Sequence, residues 1–401
     1  MSERIRVLVV DDSALMRKLI PSILARDPMI DVVGTAMDGA FALKKIEELR
    51  PDVVTLDLEM PRMDGMETLR LIMKRAPLPV ILVSTHSKEG AYATFKALAL
   101  GAIDFVAKPK EASSGHMDGI ANQLIEKIKV AKRAAGARIP SQPILETPRA
   151  VKKSARIAAS APNRIIAMGV STGGPNALQF ILSQIPADFS SSLLIVQHMP
   201  EGFTEMFARR LDECCALEVQ EAKSGDLLLA GRALICPGNR HMMVRHMPRG
   251  DMAVLSDSSP VNGHRPSVDV LFHSVAQEFG PMAVGVLMTG MGEDGAEGLG
   301  AIKAAGGPTV AQSEETCVVP GMPRAAILKG YANRIIPLDS IGAHLVTQYG
   351  GDRVAERMER IERQEKFDRP EKTDKNEKSD RDDKTDKNEK NERMPASTNR
   401  S

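Results

Sequence analysis

Tryptophan is absent from the 401-residue sequence, and aromatic residues make up only 3% of it. Without these large side chains, the hydrophobic cores must be built from Val, Ile, Leu, Met and Ala, a composition typical of parallel sheets covered by helices. Apolar residues reach 43%, which is enough to bury such cores. Because the chain is too long for one ordinary core, its length predicts roughly two to three domains of the α/β class.

The sequence also lacks any apolar stretch of transmembrane length, and its N-terminus, MSERIRVLVVDD, is unlike a signal peptide. We therefore expect a cytoplasmic protein without membrane insertion. The formal net charge of +1 gives no general reason to expect a nucleic acid as a partner.

Cysteine is scarce and shows no pattern typical of a structural site. The four cysteines, Cys214, Cys215, Cys236 and Cys317, include sequence neighbours that cannot easily pair, and they have no metal-type spacing. Reduced thiols, with neither disulfides nor zinc, are therefore predicted.

Two segments show the alternation of apolar runs that is typical of α/β domains. In residues 1–128 it predicts five strands with helices between them, and the helix expected from Ser13 contains Pro21, which should kink or shorten it. In residues 163–350 it predicts a doubly wound, mostly parallel sheet. Short β-like pieces between Leu217 and Asp257, separated by turn residues, predict antiparallel hairpins added to that sheet.

The two remaining segments have a different composition. Residues 129–162 are rich in Ala, Pro and basic residues, which favours a flexible linker over a basic arm for nucleic acid or lipid. Residues 351–401 begin with a helical pattern and continue as a charged segment in which KTDKNEK occurs twice. Such a segment has too few apolar residues to order itself, so we expect a disordered tail, and a solubilising extension is favoured over a docking motif.

Polar residues follow the predicted strands of the first domain. Asp11 and Asp12 follow the first strand, Asp57 the third, Ser84 the fourth and Lys108 the fifth. Since the carboxyl ends of parallel strands meet at one edge, these side chains are expected to converge there. Three carboxylates suit Mg²⁺, and a hydroxyl with an ammonium can hold a phosphoryl group. The alternative is that the acids merely cap helices or lie in polar turns.

Taken together, these residues resemble the response-regulator receiver domain over the whole of residues 1–128. The resemblance implies that Asp57 is phosphorylated and that Asp11, Asp12 and Asp57 bind Mg²⁺. It further implies that Ser84, Phe105 and Lys108 are the switch residues.

In the second domain, GVSTGG at residues 169–174 lies between an apolar run and Pro175, a residue suited to the first turn of a helix. The letters fit the pattern Gly-x-Ser-x-Gly, in which small neighbours let the chain turn sharply and leave the serine oxygen exposed. The pattern predicts a nucleophilic Ser171, and a glycine-rich loop without catalytic function is the alternative.

A nucleophilic serine needs a base and an orienting acid. His198 ends the strand-like run SLLIVQH, and Asp294 lies just past AVGVLMTG. If these strands are parallel neighbours of the strand before Ser171, all three residues meet at one crevice. His264, in the polar loop NGHRP, is the strongest competing base. The alternatives are a structural role for His198 and a helix cap for Asp294.

The other histidines are weaker candidates by position, and a packing role is expected for His273. They are His86 and His116 in the first domain, His241 and His246 beside a β-like piece, and His344 in a late helix. The order Ser, His, Asp also differs from the order in α/β-hydrolases, so the serine motif does not predict that fold.

Four blocks, GVSTGGP, VQHMPEGFT, RPSVDVLF and LMTGMGEDGA, resemble those of the chemotaxis protein-glutamate methylesterase (CheB) family. The resemblance covers almost all of residues 163–350. It implies that Ser171, His198 and Asp294 form a triad and that the Met291 backbone amide helps to bind the oxyanion. The long basic linker, the repetitive tail and Pro21 depart from the family pattern.

The resemblance also implies a function. The substrates would be glutamate methyl esters, and also glutamines, on the cytoplasmic domains of methylated chemoreceptors. A CheA-type histidine kinase would be the phosphodonor, and the unmodified receiver would restrain the esterase by packing over its site. Mg²⁺ would serve phosphorylation, and ester hydrolysis would need no cofactor. A receiver-linked protein that binds an anion at the glycine-rich loop is the alternative, and the α/β alternation disfavours a transcription factor.

Overall fold

The structure, a computed structural model, describes residues 4–85, 87–108, 114–134 and 160–351. All of these residues belong to one compact unit, Met1–Arg357. The predicted tail, apart from Gly351, and most of the predicted linker lie outside the described residues.

The first domain contains one five-stranded sheet with the order β2-β1-β3-β4-β5. Every pairing in it is parallel, as predicted. The strands are β1 (Ile5–Val10), β2 (Ile30–Ala36), β3 (Val53–Leu56), β4 (Val80–Ser84) and β5 (Asp104–Ala107). The helices are α1 (Met16–Leu24), α2 (Gly39–Leu49), α3 (Gly65–Arg75), α4 (Lys88–Ala99) and α5 (Ser114–Ala134).

Side-chain caps start three of these helices. Asp38, Asp64 and Ser87 each accept a hydrogen bond from a backbone N–H in the first turn of α2, α3 and α4. The helix predicted from Ser13 begins instead at Met16 and is only nine residues long, with Pro21 inside it. A short helix is what a missing backbone donor favours.

The last helix of the first domain continues past the predicted boundary at residue 128. Residues 129–134, assigned to the linker from composition, belong to α5. Val130 and Ala131 are buried, and Lys129 and Lys132 pair with Asp27 and Asp52. The basic composition of these residues indicated a linker, but they form the last turns of a helix that packs on the first domain.

The second domain is built on a seven-stranded sheet with the order β14-β13-β12-β6-β7-β9-β8. Its strands are β6 (Ile165–Val170), β7 (Ser192–Gln197), β8 (Glu218–Glu221), β9 (Arg232–Ile235), β12 (Ala283–Leu287), β13 (Thr309–Gln312) and β14 (Arg334–Ile336). The antiparallel pair β10 (His241–Met247) and β11 (Gly250–Ser256) forms a separate small sheet. The helices are α6 (Gly174–Leu182), α7 (Phe203–Cys214), α8 (Val268–Phe279), α9 (Ala296–Ala304), α10 (Gly321–Leu328) and α11 (Leu338–Tyr349).

The predicted antiparallel hairpin is present as β10 and β11, but it forms its own small sheet and does not extend the large one. All pairings of the large sheet are parallel, including β8 with β9. Between those two strands the chain crosses to the small sheet, where Gly225 N donates to Ala253 O and Leu228 N donates to Asp251 O. A turn signal at Gly225 does not distinguish this crossover from a hairpin, because the signal is local and the crossover is not.

The two domains meet where α4 packs against α6 and α7. Four buried phenylalanines lie at this contact. Phe105 stacks on Phe203 with ring centroids 4.7 Å apart, and Phe95 stacks on Phe207 at 5.2 Å. Aromatic pairs of this kind add about 0.5–1.5 kcal/mol each beyond the burial of their surface.

Polar contacts surround the phenylalanines. Asn176 Nδ2 on α6 donates to the Leu98 carbonyl oxygen on α4 at 3.0 Å. Lys88 at the start of α4 lies 3.5 Å from the Glu205 carboxylate on α7. In the described part of the chain, no helix combines the length and apolar character that a membrane span requires.

Candidate active site and phosphorylation site

The strand ends that carry the candidate triad lie side by side. β12, β6 and β7 are consecutive strands of the large sheet. The parallel register pairs Val170 with Gln197, so Ser171 and His198 are the next residues along their strands. Neighbouring strands are about 4.8 Å apart. The sheet therefore brings Ser171 and His198 to one edge.

His198 and Asp294 are in direct contact. His198 Nε2 lies 2.8 Å from Asp294 Oδ2, and the Asp294 side chain is fully buried at 0% exposure. Because an ionised carboxylate can only accept, this contact assigns the ring proton to Nε2. His198 Nδ1 is buried and has no hydrogen-bond partner among the described residues. The unpaired Nδ1 is therefore free to take up a proton.

The expected contact between nucleophile and base is not formed in the structure. Within the described residues, no hydrogen bond joins the Ser171 hydroxyl to His198. Catalytic hydrogen bonds are often long before a substrate binds and shorten in the reacting complex. The contact between Ser171 and His198 stays a prediction.

The Asp294 carboxylate is surrounded by donors from the start of α8 and the loop before it. Ser267 Oγ and Val268 N each donate at 2.7 Å, and Asn262 Nδ2 donates at 3.1 Å. Burial opposes ionisation, but the hydrogen bond and charge of His198, with the bonds from Val268 and Ser267, hold the Asp294 pKa well below its usual value. Asp294 is therefore an anion that can orient His198.

The glycines after Ser171 are required by close packing. Gly173 has a φ of +78°, which favours glycine. A Cβ at Gly174 would lie 2.0 Å from Gln197 Oε1 and 2.3 Å from Val170 Cγ2. The GVSTGG loop is thus a tight strand-to-helix turn that runs against the neighbouring strand.

Gln197 was not identified from the sequence, although it contacts both loops of the site. Its Nε2 donates to the Ser171 carbonyl oxygen at 3.0 Å and to the His198 carbonyl oxygen at 3.2 Å. Its position immediately before His198 was the only available signal, and a strand-end glutamine has no distinctive pattern.

Two backbone amides near Ser171 are available to an oxyanion. A Cβ at Gly290 would lie 2.8 Å from the Ser171 Cβ, so the chain leading to Met291 packs directly on Ser171. Among the described residues, the N–H groups of Thr172 and Met291 donate to no backbone carbonyl. Free N–H groups beside a serine are suited to a developing oxyanion.

His264, the competing base, lies against His198. The two rings stack with centroids 3.9 Å apart and an angle of 5° between their planes. Burial, and then the charge of His198, lower the pKa of His264 to about 4, so its ring is neutral at neutral pH. Asp294 bonds to His198, and no acid within the described residues bonds to the His264 ring. The geometry therefore favours His198 as the base.

Among the described residues, no hydrogen bond joins the other histidines to Ser171. His241 accepts from Ser267 N at Nδ1 and contacts Ser259 O through Nε2, and His246 pairs with Asp251. His273 is exposed on α8, so the predicted packing role is wrong, because it lies on the solvent face. His86 and the side chain of His116 lie outside the described residues. His344 is on α11.

The acidic residues of the first domain converge as predicted. Carboxylate oxygens of Asp11, Asp12 and Asp57 lie within 4.8 Å of one another. Lys108 Nζ lies 2.7 Å from Asp57 Oδ2 and 3.0 Å from Asp11 Oδ2. Burial, together with the charge of Asp11, raises the Asp57 pKa to about 6 against the opposing effect of Lys108. A set of hard oxygen ligands with excess negative charge fits Mg²⁺.

Ser84 and Phe105 face the domain contact. The Ser84 hydroxyl accepts from Thr94 Oγ1 at 2.6 Å and lies 3.3 Å from the Gly90 carbonyl oxygen, both on α4. Phe105 is 4% exposed and stacks on Phe203 of the second domain. The structure therefore brings Lys108 to Asp57 and places Ser84 and Phe105 against the elements next to the second domain.

Comparison with known proteins gives matches for both domains. Residues 166–345 match the CheB methylesterase family, and residues 7–116 match the response regulator receiver domain. The protein-glutamate methylesterase/protein-glutamine glutaminase 2 of Koribacter versatilis is 63% identical over 88% of this chain and 98% of its own length. The chain belongs to the CheB methylesterase family.

Two further matches cover most of the chain and its second domain, respectively. The protein-glutamate methylesterase/protein-glutamine glutaminase of Symbiobacterium thermophilum is 46% identical over 87% of this chain and 98% of its own length. The CheB methylesterase catalytic domain of Thermotoga maritima is 36% identical, with a TM-score of 0.45, over 46% of this chain and 98% of that structure. Family membership confirms the predicted fold class and the predicted enzyme class, a carboxylic ester hydrolase joined to a receiver domain.

Proposed function

We propose that this CheB family member hydrolyses glutamate methyl esters on the cytoplasmic domains of chemoreceptors, giving glutamate and methanol. Ser171 is the nucleophile, His198 the base and Asp294 the orienting acid. One observation carries the proposal: His198 is bonded to the buried Asp294 through Nε2, which leaves Nδ1 unpaired at the strand end next to Ser171. The reaction takes place in the cytoplasm, where those receptor domains lie.

In the first half of the reaction, Ser171 Oγ attacks the ester carbonyl carbon while His198 Nδ1 takes the hydroxyl proton. The carbon–oxygen bond to the methoxy group then breaks, and the proton passes from Nδ1 to methanol. Asp294 keeps the ring proton on Nε2 and stabilises the imidazolium between these steps. The Asp294 carboxylate accepts hydrogen bonds from five donors, one of which is the Asp269 backbone amide at 3.3 Å. Because these donors stabilise the anion, the carboxylate itself is not protonated.

In the second half, water attacks the acyl-enzyme. His198 Nδ1 removes a proton from the water and returns it to Ser171 Oγ as the glutamate carboxyl leaves. The Thr172 and Met291 amides stabilise the oxyanion of both tetrahedral intermediates, a contribution of about 3–4 kcal/mol per donor in comparable sites. Neither half requires a cofactor. Glutamine residues are deamidated by the same steps, with ammonia as the leaving group.

We further propose that phosphorylation of Asp57 by a CheA-type histidine kinase activates the esterase. Asp11, Asp12 and Asp57 would hold Mg²⁺, which supplies positive charge for the phosphoryl oxygens when bound. Lys108 then pairs with the phosphoryl group, and the Ser84 hydroxyl turns from α4 towards it. Ser84 then loses its contacts with Thr94 and Gly90, and this loss loosens α4.

The domain contact supports this control because two polar links between the domains start from α4. Lys88 pairs with Glu205, and Leu98 accepts from Asn176. Phe105 stacks on Phe203, the first residue of α7, and α7 follows the loop that begins with His198. A change in α4 and Phe105 is thereby expected to alter access to the second domain.

The test is a paired assay on a receptor cytoplasmic fragment that carries glutamate methyl esters or glutamines at its modification sites. Methanol is measured with the ester and ammonia with the glutamine. We expect methanol release, and slower ammonia release because an amide has the poorer leaving group. Absence of both products, with and without a phosphodonor and Mg²⁺, would contradict the proposed function.

A further inference from the structure

A tight turn between β11 and α8 contacts both members of the histidine–carboxylate pair. Val261 and His264 exchange two backbone hydrogen bonds, of 3.0 and 2.9 Å. The two residues between them, Asn262 and Gly263, have φ values of +53° and +77°. Positive φ at both central positions defines a two-residue turn for which Asn-Gly is the preferred sequence. The residues that flank this turn are therefore held in a defined geometry.

The Asn262 side chain links two buried carboxylates. Its Nδ2 donates to Asp294 Oδ1 at 3.1 Å and to Asp269 Oδ2 at 2.7 Å. Asp269 in turn accepts from Gly298 N at the start of α9. Through Asn262, the turn is tied to the carboxylate that bonds to His198.

His264 covers one face of the His198 ring. The ring centroids are 3.9 Å apart and the planes are within 5° of parallel. The hydrogen bond from Nε2 to Asp294 does not by itself fix the ring plane, because the imidazole can turn about its Cβ–Cγ bond while Nε2 stays close to the carboxylate. A flat group packed on the ring face blocks this rotation.

We propose that the turn Val261–His264 is a positioning element of the reaction, in which His264 fixes the plane of the His198 ring and Asn262 fixes Asp294. The proposal rests on the proposed function, since it assigns a role around the same base. His264 is a positioning residue in this scheme, and it exchanges no proton with the substrate.

The protonation state of His264 is consistent with this role. Burial lowers the pKa of His264 most, the charge of the stacked His198 ring lowers it further, and the charge of Asp294 has the opposite and smaller effect. A neutral ring can lie on the imidazolium that His198 becomes during the reaction, because an aromatic face attracts a cation. A charged ring in the same place would oppose proton transfer to His198.

Two variants of the full-length protein separate positioning from chemistry. His264→Ala removes the ring, whereas His264→Phe keeps a flat ring and removes both nitrogens. We expect His264→Ala to lower kcat for methanol release about tenfold or more with little change in KM, since small displacements of a catalytic group have effects of this size. We expect His264→Phe to recover kcat to within about threefold of wild type.

A second readout does not depend on activity. Imidazole ¹⁵N chemical shifts of His198 report which ring nitrogen carries the proton. We expect the Nε2–H form in the wild type and in His264→Phe, and a mixture of forms in His264→Ala. Asn262→Ala should weaken the Nε2–H form in the same direction, because Asp294 loses one of its donors.

The outcomes are distinct. The proposal is overturned if His264→Phe is as inactive as His264→Ala, because a nitrogen of His264 would then be needed. It is also overturned if His264→Ala changes neither kcat nor the ¹⁵N shifts of His198. Failure of the proposed function would appear differently, as a wild-type protein that releases no methanol while its His198 ring still shows the Nε2–H form. Should His264→Ala fail to fold, a normal kcat and normal shifts in His264→Phe would support the proposal, and loss of either would overturn it.

Discussion

The Asp294 carboxylate accepts hydrogen bonds only, from one imidazole, one hydroxyl, one amide side chain and two backbone N–H groups. Single residues of this kind set the protonation states on which the proposed reaction depends. An amide in place of the carboxylate would turn its NH₂ group towards donors and lose the acceptor for His198 Nε2.

We therefore expect Asp294→Asn to reduce kcat for methanol release by about 10⁴, because the base is then held in the wrong tautomer. The melting temperature of the variant serves as the control for folding. A loss of less than about tenfold in a folded variant would show that Asp294 does not orient the base.

Asp57 gives a prediction on pH dependence. Burial raises its pKa in the folded state to about 6, from the usual value of 3.8. Because the folded state holds this proton more tightly than the unfolded state does, the protein is most stable below pH 3.8 and loses this stability as the pH rises through about 6. In EDTA, the stability of Asp57→Asn relative to wild type should increase by up to about 3 kcal/mol between pH 4 and pH 8. Urea unfolding of the first domain measures it, and a difference that does not vary with pH would contradict the raised pKa.

The positions of the candidate residues could be predicted because the end of an apolar run in the sequence marks the end of a strand. Ser171, His198 and Asp294 each follow an apolar run. The contacts between side chains could not be predicted, because they depend on distances across the fold. The stacking of His264 on His198 is of this kind: both histidines were noticed, but as rivals.

At the scale of secondary-structure elements, the contact of α4 with α6 and α7 is the feature with functional consequences. The sequence predicted the strands and helices that meet there, because their apolar periodicity is strong. It did not predict that β8 and β9 join the large sheet in parallel, because the crossover between them is defined by bonds to a distant hairpin.

The Lys88–Glu205 pair allows a test of the α4 contact. Both side chains are largely exposed, at 72% and 57%, so the pair contributes little, within the range of about 0.2–1 kcal/mol for surface pairs. Lys88→Glu should weaken the contact and raise methanol release by the unphosphorylated protein by roughly 1.5- to 5-fold.

Lys44→Glu is the matched control for this charge reversal. Lys44 is 73% exposed and pairs with Glu48 within α2, so reversing its charge should leave the unphosphorylated rate unchanged. Equal rates for the two variants would show that α4 does not restrain the esterase through this pair.

At the scale of the whole molecule, two α/β domains with separate sheets share one compact unit. Phe105 of the first domain stacks on Phe203 of the second domain. Val318, from the loop beside the Ser171 turn, packs on the core of the first domain, and a Cβ at Gly173 would lie 2.5 Å from its Cγ2. The first domain therefore contacts the helix that follows the His198 loop and a residue beside the Ser171 turn.

This arrangement predicts how the domains respond to phosphorylation. A fragment of residues 160–351 should release methanol without a phosphodonor, and the full-length protein should accelerate with acetyl phosphate and Mg²⁺. Asp57→Asn should stay at the unphosphorylated rate. Equal rates of methanol release by the fragment, the full-length protein and Asp57→Asn, with and without acetyl phosphate and Mg²⁺, would exclude control by the receiver.

Methanol release by Ser171→Ala tests the central claim most directly. The substrate is the methyl-esterified receptor fragment, and the full-length variant is compared with wild type in the presence of acetyl phosphate and Mg²⁺. If Ser171 is the nucleophile, the rate should fall by about 10⁶ while the melting temperature stays close to that of wild type. A folded Ser171→Ala protein that keeps most of the wild-type rate would contradict the account.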